Sequence, residues 1–117
     1  MKLTEILAEL KAKVLANAHK VDQMQFEHAA ASDLMSEVLA IAKPDVVLIT
    51  GLCTPQVVRT AEVVGIPAVI VVRRESLPSE TVEMAETAGI VLAATKMSMF
   101  EACGRLYAKG IRPIWEV

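Results

Sequence analysis

Asp45-Val46-Val47-Leu48-Ile49-Thr50-Gly51 is the stretch that decides the fold. Five consecutive residues without a charge, three of them β-branched aliphatics, have no polar face. A strand of that kind is buried on both sides and belongs at the centre of a parallel sheet. Working outward, Pro67 to Val72 and Ile90 to Thr95 repeat the pattern. Between these runs lie helical segments. Thr54-Pro55 opens one, with proline in the first turn where its missing N–H is harmless, and Val57, Val58, Ala61 and Val64 form its inner stripe. Ser79 caps a second, which ends at Gly89. Ser98 and Glu101 have capping-box spacing at the start of a third, which ends at Gly110. Val64-Gly65-Ile66, Ala88-Gly89-Ile90 and Lys109-Gly110-Ile111 share one device. Glycine takes the left-handed position that closes a helix, and isoleucine packs back on it. Strand, helix, strand at this spacing implies right-handed βαβ crossovers. The expected architecture is α/β, a three-layer α/β/α sandwich with a central, mostly parallel sheet of about five strands.

The N-terminal third reads less simply. Leu3, Ile6, Leu7 and Leu10 fall on one face of a helix. Lys13 to Ala18 predicts a short strand. From Val21 to Ala29, Met24, Phe26 and His28 alternate with Gln23, Gln25 and Glu27, which predicts a half-buried strand near a sheet edge. Ser32 or Asp33 then caps a helix running to about Ala42, stopped by Lys43-Pro44. Ile111 to Val117 is a short terminal segment.

The chain has 117 residues, which suits a single domain spanning 1–117. Hydrophobic residues make up 54% and aromatics only 3%, so the core must be aliphatic. Twelve Lys and Arg stand against fourteen Asp and Glu, a net charge of −2 that argues against nucleic acid as a partner. The longest uncharged run, Val46 to Val58, is interrupted by Gly51 and Pro55 and is too short for a bilayer. Met1-Lys2-Leu3-Thr4-Glu5 carries an acid where a signal peptide needs an apolar stretch, so the expected location is the cytoplasm, with no membrane partner. Two cysteines, Cys53 and Cys103, are expected to stay reduced there, and they make no zinc spacing.

Catalytic motifs do not appear: there is no GxxxxGK[ST], no GxGxxG after a strand and no GxSxG. No cofactor and no metal site is expected. His19 reads as a loop residue and His28 as a strand residue beside Met24 and Phe26. Cys53, between a strand and a helix start, is either a thiol activated by the helix N-terminus or a small residue in a tight turn. Cys103 shares a stripe with Met99, Leu106 and Tyr107 and reads as core. In open α/β sheets ligands bind beyond the carboxyl ends of the strands. Here that rim is Thr50-Gly51-Leu52-Cys53-Thr54, Arg73-Arg74-Glu75-Ser76 and Thr95-Lys96-Met97-Ser98. The candidate ligand-binding residues are therefore Thr50, Gly51, Cys53, Thr54, Arg73, Arg74, Thr95 and Ser98. Ser32 and Asp33 join them as either a ligand-orienting pair or a helix cap. Arginines, hydroxyls and helix starts suit an anion such as phosphate or a nucleotide, whereas the alternative is that the hydroxyls are only caps and the arginines only solvated.

Ala31-Ser32-Asp33-Leu34-Met35-Ser36-Glu37-Val38-Leu39-Ala40, then Asp45 to Gly51, Gly65-Ile66-Pro67-Ala68-Val69-Ile70, and Thr95-Lys96-Met97-Ser98-Met99-Phe100-Glu101-Ala102-Cys103-Gly104-Arg105-Leu106 together resemble the DRTGG domain over nearly the whole chain. The resemblance implies a fold similar to the N-terminal domain of HPr kinase/phosphorylase. It also implies a regulatory or dimer-forming role, as in modules fused to phosphotransacetylases and to CBS-domain pyrophosphatases. The eponymous residues are mostly replaced: Gly51-Leu52-Cys53 stands where the family has Gly-Asp-Arg, and Val72-Arg73-Arg74 where it has Thr-Gly-Gly. The expected function is a non-catalytic regulatory or oligomerisation module, a homodimer that senses a small anion or nucleotide, with any partner protein unknown. The alternative is a small phosphoryl-transfer or nucleotide-binding enzyme subunit using Asp33, His28 or an arginine.

Overall fold

The computed structural model describes residues 1–114. Helix α1 (Leu3–Glu9) leads into strand β1 (Lys13–Ala16) and a 3-10 helix (Ala18–Gln23). Strand β2 (His28–Ala31), helix α2 (Met35–Ile41), strand β3 (Val46–Thr50), helix α3 (Pro55–Val64), strand β4 (Ala68–Val71), helix α4 (Ser79–Ala88) and strand β5 (Val91–Ala94) then alternate. Helix α5 (Met99–Ala108) and a two-residue strand β6 (Arg112–Pro113) follow. The part of the expected terminal segment at 115–117 lies outside the described residues.

The six strands form one sheet in the order β1-β5-β4-β3-β2-β6. β2 through β5 are parallel neighbours, β6 runs parallel to β2, and β1 is antiparallel to β5. The sheet has six strands rather than about five. The two easily missed are the bulged edge strand β1 and the very short β6.

Direction of travel decides which face each helix covers. From β2 to β5 the chain moves steadily across the sheet, so right-handed crossovers put α2, α3 and α4 on one face. There Val38, Val57, Val58, Ala61 and Ala85 pack on Val46, Leu48, Val69, Val71 and Leu92. From β5 to β6 the chain goes back the other way, and the same handedness sends α5 to the opposite face. There Ala102 and Leu106 join Leu3, Ile6 and Leu10 of α1 and its end over Val47, Ile49, Ile70 and Ala93. All five residues of β3 are buried, as a central strand requires. Gly65, Gly89 and Gly110 have φ of 91°, 73° and 104°, and Ile66, Ile90 and Ile111 behind them are 1%, 5% and 3% exposed.

The expected strand from Val21 to Ala29 forms only at its end, where His28 and Ala29 open β2. Asn17 adopts a left-handed conformation (φ 60°), turns the chain, and donates through Nδ2 to the Ala85 and Ile90 carbonyls at 3.0 and 2.8 Å. Residues 18–23 then coil as the 3-10 helix. Ahead of β2 the segment is extended around Met24 to Phe26, where Leu3 N–H donates to the Met24 carbonyl and Phe26 N–H to the Met1 carbonyl. Its period of two is satisfied by the chain's own first residues as far as Phe26, and by the sheet only from His28.

Candidate functional site

Because β2, β3, β4 and β5 are parallel, their following loops meet at one rim. β1 is antiparallel, and its first residue, Lys13, pairs with Ala94 at the end of β5, so the turn before β1 reaches the same rim. The rim divides into a closed half and an open half.

The closed half lies over β2, β3 and β4. Asp33 does not cap α2, whose N-cap position is Leu34 with no side-chain cap. Asp33 Oδ1 instead accepts from the buried Gly51 N–H at 2.5 Å and from the Thr50 hydroxyl at 3.3 Å. Arg73 Nη2 donates to Oδ2 at 3.3 Å. The Gly51 N–H, with help from Arg73 and Thr50, holds the Asp33 carboxyl below the ordinary carboxylate range against the opposing effect of partial burial. Gly51 leaves the space that the Arg73 guanidinium occupies: a Cβ there would sit 1.9 Å from Arg73 Nη2, so the arginine would have to move. Ser32, instead of turning to the rim, accepts from Leu34 N–H at 3.1 Å, which makes it a local turn residue.

Several other candidate side chains are also occupied structurally. Thr50 Oγ1 accepts from Leu52 N–H at 3.1 Å. Thr95 is buried; its hydroxyl donates to the Leu10 carbonyl at 2.7 Å and accepts from Met97 N–H at 3.1 Å. Ser98 caps α5 by accepting from Glu101 N–H at 3.2 Å. The reciprocal half of the expected capping box does not form, because the Glu101 carboxylate turns to Arg105, with bonds of 3.0 and 2.8 Å. Cys53 is half-buried against the α2–α4 side of the core and its carbonyl accepts from the Thr81 hydroxyl at 2.7 Å, which fits the tight-turn role. Thr54 occupies the N-cap position of α3 without a side-chain cap bond. At α4 the N-cap is Pro78, and Ser79 is the first helical residue.

The open half lies over β5 and β1. A cleft of about 450 Å³ has Leu10, Ala94, Thr95 and Met97 in its lining. Around them stand Lys11, Lys13, Arg74, Lys96 and Arg105, with Glu75 and Glu101 as the only carboxylates among the described residues. Glu75 is paired to Lys96 at 3.0 Å and Glu101 to Arg105 at 2.8 Å. Arg105 also reaches Glu9 at 3.5 Å, and Glu101 is the main reason its guanidinium binds its proton still more firmly than usual. Lys11, Lys13 and Arg74 have no ion-pair partner among the described residues.

The structure thus brings Asp33, Thr50, Gly51 and Arg73 together and sends Arg74 to a separate place. Arg73 has φ 61°, a left-handed conformation that makes neighbouring side chains diverge, and its N–H and that of Arg74 are pinned to the Met97 and Thr95 carbonyls at 2.9 Å each. Lys96 belongs to the rim segment read from the sequence, whereas Lys11, Lys13 and Arg105 were not among the candidates. For Lys11 and Lys13 the missing information is the direction of β1. His28 opens β2 whereas Asp33 follows its end, so of the groups named for phosphoryl transfer His28 lies at the opposite end of a strand from Asp33 and Arg73. No group of three or more His, Cys, Asp or Glu able to hold a metal occurs among the described residues, and no helix among them is long and apolar enough to cross a membrane.

No family model and no curated protein matches the chain. A solved structure does. It is that of the CBS and DRTGG domains of the regulatory region of Clostridium perfringens pyrophosphatase, complexed with its activator diadenosine tetraphosphate. The two superimpose with a TM-score of 0.73 at 17% sequence identity, over 95% of this chain and 47% of that one. This chain spans about half the length of that structure. Likeness at such identity speaks for the fold, and the fold of this chain is that of a DRTGG-like domain.

Proposed function

We propose that this chain is a non-catalytic regulatory module that senses a small, multiply charged anion, a nucleotide among the candidates, and works as a homodimer. The observation that carries the reading is the open cleft. Five cationic side chains surround it in a chain whose overall charge is negative, and three of the five have no ion-pair partner among the described residues. Cations left without a partner around a concave surface attract an anion at little rearrangement. Both carboxylates of the cleft are already engaged by cations, which leaves no free base or metal ligand beside the bound anion. That favours binding without turnover over phosphoryl transfer. The nucleotide activator of the solved structure described above is consistent with this class of ligand.

Calorimetric titration with phosphate, pyrophosphate, AMP, ADP and ATP tests the reading. We expect affinity to rise with phosphate number and to fall with added salt, since the contacts are between exposed charges. A Lys13→Ala/Arg74→Ala double variant should bind at least about tenfold more weakly, the equivalent of about 1.4 kcal/mol. Absence of binding for the whole panel at millimolar concentration overturns the sensor. Nucleotide hydrolysis that disappears in the double variant overturns the non-catalytic part.

A further inference from the structure

Helix α5 has two apolar faces. Ala102 and Leu106 are buried against the sheet. On another side Phe100, Cys103, Gly104 and Tyr107 fall at i, i+3, i+4 and i+7, a line along the helix. Phe100 is 91% exposed and Tyr107 56%. Single exposed apolar residues are ordinary, but Gly104 within this line is not. Glycine is the poorest helix former after proline, and nothing among the described residues asks for it here. Its φ is not left-handed, and an added Cβ would meet no atom within 4 Å. At Gly51, by contrast, Arg73 fills the space. A glycine in mid-helix with open space above it suits the close approach of a backbone from outside the chain.

Beside the same line lies an apolar groove of about 190 Å³, walled by Cys103, Leu106, Tyr107 and Ile111 and by the alanines of β2. Arg112 stacks its guanidinium on the Tyr107 ring, 4.9 Å from the centroid, and steadies that wall. One helix therefore carries both a knob, Phe100, and a recess.

We propose that α5 is the surface through which two copies of this chain associate, the helices crossing antiparallel with their closest approach at Gly104. This rests on the homodimer of the proposed function and names its surface. A two-fold axis demands that one patch supply both halves of the contact, and this one does. Phe100 lies four residues before Gly104 and Ala108 four after it. The axis therefore sets Phe100 of each copy between Gly104, Tyr107 and Ala108 of the other, next to the groove. Charge agrees with the direction. Glu101 sits in the first turn and Lys109 at the helix end. An antiparallel crossing opposes the helix dipoles, whereas a parallel one would align them and set Glu101 against Glu101.

The test is light scattering on the full chain at tens of micromolar, for the wild type and for Phe100→Glu, Gly104→Leu and Val63→Glu. Val63, 76% exposed on α3, is the control away from the surface. Gly104→Leu has open space in the single chain, so its circular dichroism should match the wild type. The expected result is twice 12.6 kDa for the wild type and Val63→Glu, and the single-chain mass for the other two. A dimer that persists in both α5 variants overturns this surface while leaving dimerisation standing. A wild type of single-chain mass overturns both the surface and the homodimer.

Discussion

Replacing Asp33 with alanine removes the one side chain that ties the loops after β2, β3 and β4 together. Three bonds are lost, and they are unequal. The bond from Gly51 N–H is short, charge-assisted and made by a buried residue, so its loss leaves a backbone donor unsatisfied, a penalty of about 1–3 kcal/mol. The pair with Arg73 has side chains 50% and 53% exposed and contributes about 0–1 kcal/mol. The Thr50 hydroxyl at 3.3 Å retains its bond from Leu52 N–H and adds little. The expected loss for Asp33→Ala is about 2 kcal/mol, carried mainly by Gly51. Arg73→Ala should cost about 0.5 kcal/mol, and Asp33→Asn, which keeps an acceptor for Gly51, should fall between. Urea denaturation reads the loss as a midpoint lowered by about 1 M, for a slope of about 2 kcal/mol/M. The pH dependence has a definite sign. The folded carboxyl is held below its unfolded value of about 3.9. Its contribution is therefore complete above that value and disappears as pH falls through the lower, folded value. The wild-type advantage over Asp33→Ala should be flat from pH 7 to 5 and shrink below pH 4. An Arg73→Ala loss equal to that of Asp33→Ala would refute the ranking, and an advantage that persists undiminished to pH 2 would refute the role of the charge.

Gly51→Ala gives a different outcome from the same site. The clash is with the far end of a half-exposed arginine, 1.9 Å from Nη2 and 2.8 Å from Cζ, and Gly51 is not in a left-handed conformation. The arginine swings away, losing at most about 1 kcal/mol, while the restricted unfolded chain returns about 0.4–1 kcal/mol. The thermal midpoint should hardly move, and a loss above about 2 kcal/mol would mean that Arg73 cannot yield. Burial raises the Cys103 thiol above its ordinary value, so its alkylation near pH 8 should be far slower than that of free cysteine. A rate equal to free cysteine contradicts the half-buried placement beside Leu106.

What was legible in the sequence was whatever a local pattern decides alone. Val46 to Thr50 has no polar face and can only be central. Gly65, Gly89 and Gly110 are each followed by an isoleucine that needs burial, so three helix ends could be read directly. The errors came where a local pattern has two solutions. Alternation across Met24, Phe26 and His28 fits any extended partner: residues 1–3 supply one outside the sheet for Met24 and Phe26, and only His28 reaches β2. Asp33 before a helix resembles a cap, but the N–H it serves belongs to Gly51, which only the β2–β3 pairing brings near. Ser98 and Glu101 have capping-box spacing, but Arg105 one turn on offers Glu101 a charged partner, which is stronger than a backbone N–H. Lys11 and Lys13 join the cleft because β1 is antiparallel, and nothing in Lys13 to Ala16 encodes direction.

The division of the rim follows from the same topology. The parallel strands place Asp33, Gly51 and Arg73 at adjacent strand ends, close enough to bond, so that half closes on itself. At the far edge the antiparallel β1 brings in a turn carrying lysines but no acid, so Lys11 and Lys13 have no ion-pair partner among the described residues and that half remains open. Arg73 and Arg74 are consecutive, and the left-handed Arg73 sends one to each half. The ion pair with Asp33 and the backbone bonds to Met97 and Thr95 fix the loop from which Arg74 projects. For the anion proposed above, a loop fixed in advance lowers the ordering cost of binding. It also makes the Asp33 contact, which lies outside the cleft, part of what sets its affinity.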